Sequence, residues 1–585
     1  MPSAVASFDP STATHFRLTH ERVDDVPLLI AFLLKLRLPQ VIDQFVTPHP
    51  LHEGLSHGWL ATIWIAYILS RADHRKSYVR DWVKDLHHTL ETATGQTIRD
   101  TDFTDDRLTL LLERLSDAAL WDRIETALWG ATCEVYELPV ERVRLDATTS
   151  CGFHTVVEGG LMQLGHSKDH RPDLPQFKLM AAVAEPSGQL LVSDVHPGNT
   201  ADDPLYLPII ARVRALLKRK GLLYTGDCKM AAFETRAEIA AAGDFYLTPL
   251  PMTAAKDFDA WVEDAVSGPR RADVVELRVG EDRLGIGYEF ERKLTATVAG
   301  REVRWTDRVQ LIRSDSLAEA QTRGLQRRLE QAEAAVRALT PPTGRGKVQV
   351  TAGWELERQV AAVLAEYDVA GLLEVQWERQ QTSRTQYVGR GRGGPNRPTK
   401  TVWTTRYQIT AVRRNEAAIA ARVARLGWRA QVTNVPKRRL SLAESVLAYR
   451  GGHSVERDFH LLKDRPLGIR PLYVWRDDQI VGLAHQLTLG LRVLTLFEVL
   501  VRRGQGESGE KLPGLFPGQA SRTTERPTAS RVLGAIARRG ITVTRTGDGQ
   551  TCRWHVGPLP LLLRRVLAYL DLPETVYTGL ATNSS

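Results

Sequence analysis

The residues in this chain best suited to chemistry are two aspartates and the charged face of one helix. Asp146 closes the apolar run Val143-Arg144-Leu145, and Asp227 follows Gly226 after the apolar run Gly221 to Thr225. Each pattern predicts a short strand that ends in a carboxylate. In a sheet covered by helices, ligands bind at strand C-termini, so the two carboxylates can converge there. Hard divalent cations want such oxygen ligands, and Mg²⁺ takes only one or two carboxylates beside water and phosphate. Two ions about 4 Å apart suit phosphodiester chemistry. For either aspartate alone, a turn or helix-cap role is the plainer reading.

The third acidic candidate lies in a segment, Leu442 to Asp464, that reads as one long helix beginning near Ser441. Within AYRGGHSVERDFHLLK (448–463), Tyr449, His453, Glu456, His460 and Lys463 fall at helical spacing on one stripe. Val455, Phe459 and Leu462 form a neighbouring apolar stripe that can pack on a sheet. In that arrangement Glu456 takes a metal, while Tyr449 and Lys463 hold phosphate oxygens. A solvated face with ordinary i,i+3 and i,i+4 charge pairs is the other reading.

These residues need a scaffold. Residues 1–140 read as mainly helical, with apolar periodicity over Val26 to Leu38, Leu60 to Leu69 and Leu108 to Trp129. A small bundle is the plainer reading, and a helix-turn-helix that grips DNA ends, or a dimerisation domain, is the sharper alternative. After the strand ending at Asp146, Lys178 to Glu185 and Gln189 to Val195 form a hairpin around Pro186-Ser187-Gly188. A helix (Pro204 to Lys220), the strand ending before Asp227, a helix (Ala231 to Ala242) and a strand (Asp244 to Leu247) follow. This order implies an α/β fold, a mixed sheet flanked by helices. Residues 251–424 read as a large β-rich insertion, so the catalytic fold divides into 141–250 and 425–503. Residues 504–585 form a helix-plus-hairpin module after a Gly/Pro-rich linker.

With 585 residues, 43% hydrophobic and 25% charged, the composition is that of a multidomain globular protein. The formal net charge of +8 favours a polyanionic partner. Cys133, Cys151, Cys228 and Cys552 form no Cys-x-x-Cys pair, which disfavours a zinc module or disulfide framework and fits a reducing cytosol. Met1 to Asp25 has no signal-peptide pattern. Ile480 to Val501 is the most apolar stretch, but it carries His485, Gln486, Arg492 and Glu498, so it reads as a buried helix and not a membrane span.

The pattern Tyr449-x2-Gly452-x3-Glu456-x6-Lys463 resembles the Tyr-x2-Arg-x3-Glu-x6-Lys signature of bacterial insertion-sequence transposases of the DDE superfamily. Leu145-Asp146-Ala-Thr-Thr-Ser and Tyr224-Thr-Gly-Asp227-Cys-Lys229-Met are similar to that family's first and second aspartate strands. GHSKDHRPDLPQFK (165–178) and HPGNTADD (196–203) are similar to its intervening motifs. Where the signature has Arg, this chain has Gly452. The resemblance implies an RNase H-like core with a β-rich insertion between the second Asp and the Glu. It implies metal-dependent cut-and-paste transposition, with Asp146, Asp227 and Glu456 as catalytic ligands of two Mg²⁺ or Mn²⁺ ions. It further implies a homodimer acting on double-stranded DNA, namely terminal inverted repeats and target, in the bacterial cytoplasm at the nucleoid. Tyr449, Lys463, Arg450, Lys168 and Arg171 become DNA-contact candidates. Trp377 and Trp403 are candidates for stacking a flipped base, against a plainer core role.

GRGRGGPNRP (389–398) has glycine spacing like that of a dinucleotide site, but no helix or βαβ unit follows it. It reads as a basic loop, either on a DNA backbone through Arg390, Arg392 and Arg397 or as plain linker. Rival functions are another RNase H-like nuclease and a non-catalytic DNA-binding derivative of a transposase.

Overall fold

A computed structural model describes residues 17–251, 253–451, 453–519, 521–547, 552–581 and 583–584. The chain divides into two compact units, unit 1 (1–248, 295–305 and 448–585) and unit 2 (249–294 and 306–447).

Unit 1 opens with strand β1 (Arg17–Arg22) and seven helices: α1 (Val26–Lys35), α2 (Leu38–Phe45), α3 (His57–Arg71), α4 (Lys76–Asp85), α5 (His87–Thr94), α6 (Asp105–Leu115) and α7 (Ala118–Val135). The apolar periodicity over 26–38 resolves into α1 and the start of α2, because Arg37 turns left-handed before Pro39 restarts the chain. Likewise 108–129 spans α6 and α7, where Asp117 caps α7 by accepting from the Leu120 amide at 2.9 Å.

The sheet follows: β2 (Val140–Cys151), β3 (Gln176–Pro186), β4 (Gln189–Pro197), helix α8 (Tyr206–Leu217), β5 (Leu223–Thr225), α9 (Phe233–Ala241) and β6 (Phe245–Pro249). Its order is β4-β3-β2-β5-β6. The β4/β3 and β3/β2 pairs are antiparallel, whereas β2/β5 and β5/β6 are parallel. The mixed α/β class expected from the element order is therefore present, and the β3–β4 hairpin turns at Gly188, whose φ of +71° suits glycine.

Unit 2 contains α10 (Phe258–Val266), β7 (Val275–Val279), β8 (Asp282–Val298), β9 (Arg301–Ser314), α11 (Asp315–Ala338), α12 (Gly353–Glu366), β10 (Leu373–Tyr387), β11 (Thr399–Arg414), α13 (Glu416–Ala424), β12 (Trp428–Thr433) and most of α14 (Leu442–Arg450). Its strands run β12-β9-β8-β7, while β10 and β11 pair only with each other. The insertion is thus more helical than its sequence suggests, since α10 and α12 carry weak apolar stripes. Val348 to Val350, read as a strand, is irregular.

Unit 1 resumes with α15 (His453–Lys463), α16 (Asp477–Ser508), α17 (Ala529–Ala537), β13 (Thr542–Gly547), β14 (Cys552–Val556), α18 (Leu561–Tyr569), α19 (Thr575–Thr578) and β15 (Asn583–Ser584). β13 pairs antiparallel with β1, so the C-terminal hairpin shares a sheet with the first described strand. α16 is long and apolar enough to cross a membrane by length and composition, and 94% of its most apolar 18-residue window is buried inside the protein.

One ionic network ties this unit together. Glu125 of α7 is fully buried. It accepts from Arg492 of α16, from Arg212 of α8 at 2.5 Å and from the Ser193 hydroxyl of β4 at 2.9 Å. Burial pushes the Glu125 carboxyl up against the pull of the two guanidiniums. Removing one member of such a group leaves uncompensated buried charge. Glu125→Ala is expected to lower unfolding free energy by roughly 3–5 kcal/mol, read by chemical denaturation; a loss below 1 kcal/mol would remove the network from the fold's supports.

Beside it, His485 stacks on Trp121 with ring centroids 4.2 Å apart and bonds the Leu115 carbonyl through Nδ1 at 2.7 Å. Burial lowers its pKa to about 3, and burial likewise lowers His57 and His74 to about 4 each. The unfolded imidazoles bind protons first on acidification. This stability is therefore complete above about pH 6.5 and is lost as pH falls toward the folded values. By pH 5 the loss at His485 amounts to about 2 kcal/mol relative to neutral pH. His485→Gln should flatten the decline in melting temperature between pH 7 and 5, and an unchanged pH slope would contradict this.

Candidate active site

The ladder between β2 and β5 has two pairs, Val143↔Tyr224 and Arg144↔Thr225. Asp146 and Asp227 each lie two residues beyond the second pair, and their charges are close enough to interact. Asp146 does not end its strand as its sequence suggests. β2 runs on to Cys151, paired with β3, and Asp146 marks the point where β5 stops beside it. The segment Ala147 to Cys151 is buried on both faces, so it lacks the alternation that would have extended the strand in the sequence.

Burial raises the Asp146 carboxyl above its ordinary pKa, and the nearby Asp227 charge adds to the rise. The Lys168 ammonium, 3.3 Å from Oδ1, and the Ala147 amide, 2.7 Å from the same oxygen, oppose it. Asp227 caps a single helical turn (228–231) by accepting from the Lys229 amide at 2.9 Å. The Tyr206 hydroxyl donates to Asp227 Oδ1 at 2.6 Å, and burial followed by the Asp227 charge drives the phenol's pKa upward. Gly226 admits this contact: a Cβ there would lie 3.2 Å from the Tyr206 ring. The Thr248 hydroxyl donates to the Asp227 carbonyl at 2.6 Å.

This donor set fits a hard divalent cation. Two carboxylates close enough for the Asp227 charge to raise Asp146 supply hard oxygen donors, and an ammonium already sits against one of them. The third acid stands apart. Among the described residues no group of three or more His, Cys, Asp or Glu side chains is close enough to hold one ion. Glu456 is exposed on α15, while Val455, Phe459 and Leu462 are buried, and α15 packs on β2, β3 and α16. The structure therefore packs the Glu456 helix on the Asp146 strand and sets Asp146 and Asp227 close enough for their charges to interact.

The single long helix expected over 442–464 is two, α14 and α15. It breaks after Arg450, where Gly451 turns; Gly452, the departure from the signature, lies outside the described residues. Glycine is a poor helix former, and two in succession outweigh the i,i+4 pattern around them. Half-buried Tyr449 and exposed Arg450 thus end α14 and do not share the Glu456 stripe. Lys463 meets Asp169 at 2.7 Å, with Arg470 3.3 Å from the same carboxylate oxygen. Lys168 sits on Asp146, so the loop Lys168-Asp169 links the β2 acid to the end of α15. Arg171 pairs with Asp173 at 2.7 Å in an exposed loop. Trp377 packs edge-on against Tyr407, and Trp403 is 63% exposed. Tyr206, Asp169 and Thr248 escaped sequence reasoning. For Tyr206 the available signal was its place just after the 196–203 motif, at the first position of α8.

Residues 145–489 match a family model, the transposase DDE domain. That span begins one residue before Asp146 and contains Asp227 and Glu456. Among solved structures, a piggyBac transposase synaptic complex with hairpin DNA, determined by cryo-EM, is similar at 9% identity with a TM-score of 0.26, over 51% of this chain and 61% of that one. The chain spans about three fifths of that transposase's length. No curated protein matches the chain.

The Asp169 tether is testable by a double-mutant cycle. Asp169→Asn and Lys463→Ala should each destabilise the fold, and the double variant should lose less than their sum by at least about 0.5 kcal/mol. Strict additivity would mean that the pair is not coupled.

Proposed function

The chain belongs to the transposase DDE domain family, and on that premise we propose that it is a DNA transposase that cuts the ends of an insertion sequence and joins them to target DNA. The observation that carries the reading is the proximity of Asp146 and Asp227 just beyond the β2/β5 ladder, inside the span the family model matches. The sheet order β4-β3-β2-β5-β6, antiparallel then parallel, supports an RNase H-like core. Asp146 and Asp227 are the residues to hold Mg²⁺ or Mn²⁺, with Glu456 completing the set in the DNA-bound state. When bound, such ions polarise the phosphodiester and favour deprotonation of the attacking water or 3′-hydroxyl.

The chain's own groups prepare that site. Tyr206 and the Lys229 amide orient Asp227, while Lys168 and the Ala147 amide hold Asp146 in place. The ammonium of Lys168 can leave Asp146 for a phosphate oxygen when DNA enters, as a flexible cation beside the scissile backbone. Arg450 and Tyr449, at the end of α14, are further candidates for backbone contact. A homodimer acting on paired element ends in the bacterial cytoplasm completes the proposal. A non-catalytic DNA-binding role finds less support, since binding alone gains nothing from two carboxylates held together among cations.

The decisive measurement is Mg²⁺-dependent cleavage of duplexes carrying the element's terminal repeats. Asp227→Asn and Glu456→Gln are expected to lower cleavage by at least about a thousandfold while duplex binding stays near wild type. Cleavage by Glu456→Gln at the wild-type rate would exclude that carboxylate from the reaction, and wild-type rates in Asp227→Asn would refute the site.

A further inference from the structure

Unit 2 contains one segment that buries almost nothing. From Arg379 to Arg406, β10 and β11 pair only with each other, and most of their side chains are exposed. The apolar cluster at the ribbon's base ends at Trp377 and Tyr407, outside this segment. An isolated two-stranded hairpin is at best marginally stable in water, so this length of ribbon adds little to the fold.

Its charge has one sign. Arg379 to Arg406 contains seven Lys or Arg residues and no Asp or Glu. Exposed ladders usually gain from opposite charges across strands, and this one has none to offer. The hydrogen bonds of Arg406 go to neutral Gln380 and Gln408. The register sorts the side chains by face. The pairs Gln380↔Arg406, Arg384↔Val402 and Gln386↔Lys400 put Arg384, Lys400 and Arg406 on one side. The pairs Ser383↔Trp403 and Tyr387↔Thr399 put the exposed aromatics on the other. At the tip, Arg397 donates to the carbonyls of Val388, Arg390 and Arg392 at 3.2, 2.7 and 3.0 Å. That clamp shapes the loop, and the Arg390 and Arg392 side chains stay exposed. The glycine-rich run is therefore neither a linker nor a flat row of three equivalent cations.

We propose that the β10–β11 ribbon is an arm that lies in the major groove of duplex DNA, with Arg384, Lys400, Arg390 and Arg392 on backbone phosphates. The proposal rests on the transposase reading and names the surface that takes the duplex. The major groove, about 12 Å wide, admits a two-stranded ribbon. Nine residues at about 3.4 Å each give the free ribbon roughly 30 Å of reach, close to one turn of duplex at about 34–36 Å. The Thr and Gln side chains between the cations can donate to phosphate oxygens.

The test is equilibrium binding of the full chain to a random-sequence duplex across about 50–200 mM salt. The variant R384A/R390A/R392A/K400A is compared with R384K/R390K/R392K, and the melting temperature of each is checked against wild type. Loss of four phosphate contacts is expected to make the log–log salt slope shallower by about 3–4 and to weaken binding at least about tenfold. The lysine variant should keep the slope. A quadruple-alanine variant with wild-type affinity and slope would overturn the arm; cleavage of element ends by the wild type would then leave the transposase reading standing. A wild type that binds no duplex would overturn both. Tighter binding of an A-form RNA duplex than of DNA would overturn the choice of partner.

Discussion

The candidate site depends on a parallel ladder only two pairs long. Asp146 and Asp227 are close enough for their charges to interact, and each follows the last ladder pair, Arg144 opposite Thr225, by two residues. A slip of one residue would turn one carboxylate to the opposite face of the sheet. β5 is three residues long and cannot fix that register alone. It is held from its far side by β6, through Leu223↔Phe245, Tyr224↔Tyr246 and Thr225↔Leu247. Asp244 reinforces the junction by accepting from the Leu222 amide at 3.0 Å and from Arg214 at 2.7 Å. Beyond Thr225, Gly226 and the Asp227 cap bend the chain away, so β2 loses its parallel neighbour where its acid appears.

Asp146 is desolvated and feels the charge of Asp227, and hydrogen-bond donors on both carboxylates offset that repulsion. Each compensating group is local: the Lys168 ammonium and Ala147 amide for Asp146, the Tyr206 hydroxyl and Lys229 amide for Asp227. The strain left over is of the kind a dication relieves more fully than a lysine does, since it interacts with both acids at once. The same loop that brings Lys168 to Asp146 sends Asp169 to Lys463 and Arg470. The position of α15 is thereby linked to the acid pair, though Glu456 itself stays outside it. Farther back, Glu125 joins α7, α8, α16 and β4, which fixes the antiparallel half of the sheet to the helices behind it.

What could be read from the sequence was what local pattern encodes. The β3–β4 hairpin, β12, α11 and the buried character of α16 all follow from periodicity and turn residues, and the mixed sheet follows from their order. The two aspartates stood out because each terminates an apolar run. Failures came where the deciding interaction was distant or the pattern conflicted with itself. Nothing near Arg17–Arg22 announces its pairing with Thr542–Gly547, since that contact spans the whole chain. The stripe from Tyr449 to Lys463 satisfied helical spacing, yet Gly451 and Gly452 sat inside it, and propensity won over periodicity. Tyr206 lies within the helix read over Pro204 to Lys220, and only the fold directs its hydroxyl to Asp227. Lys168 and Lys463 were legible as cations, but their carboxylate partners were not, because both pairs cross between elements.

The basic balance also changes meaning once it is located. The chain's net charge is +8, and Arg379 to Arg406 accounts for +7 of it, which leaves +1 for everything else. A polyanion approaching this protein is therefore attracted less by a broad positive surface than by one ribbon. Screening at physiological salt, with a Debye length of about 8 Å, confines that attraction to what the arm can touch. The remainder of the chain is then free to keep acidic residues where chemistry needs them. A broad positive field would also lower the energy of the carboxylates and weaken their demand for a metal. Concentrating charge on an exposed ribbon separates the attraction of a polyanion from the task of holding two half-buried aspartates close together.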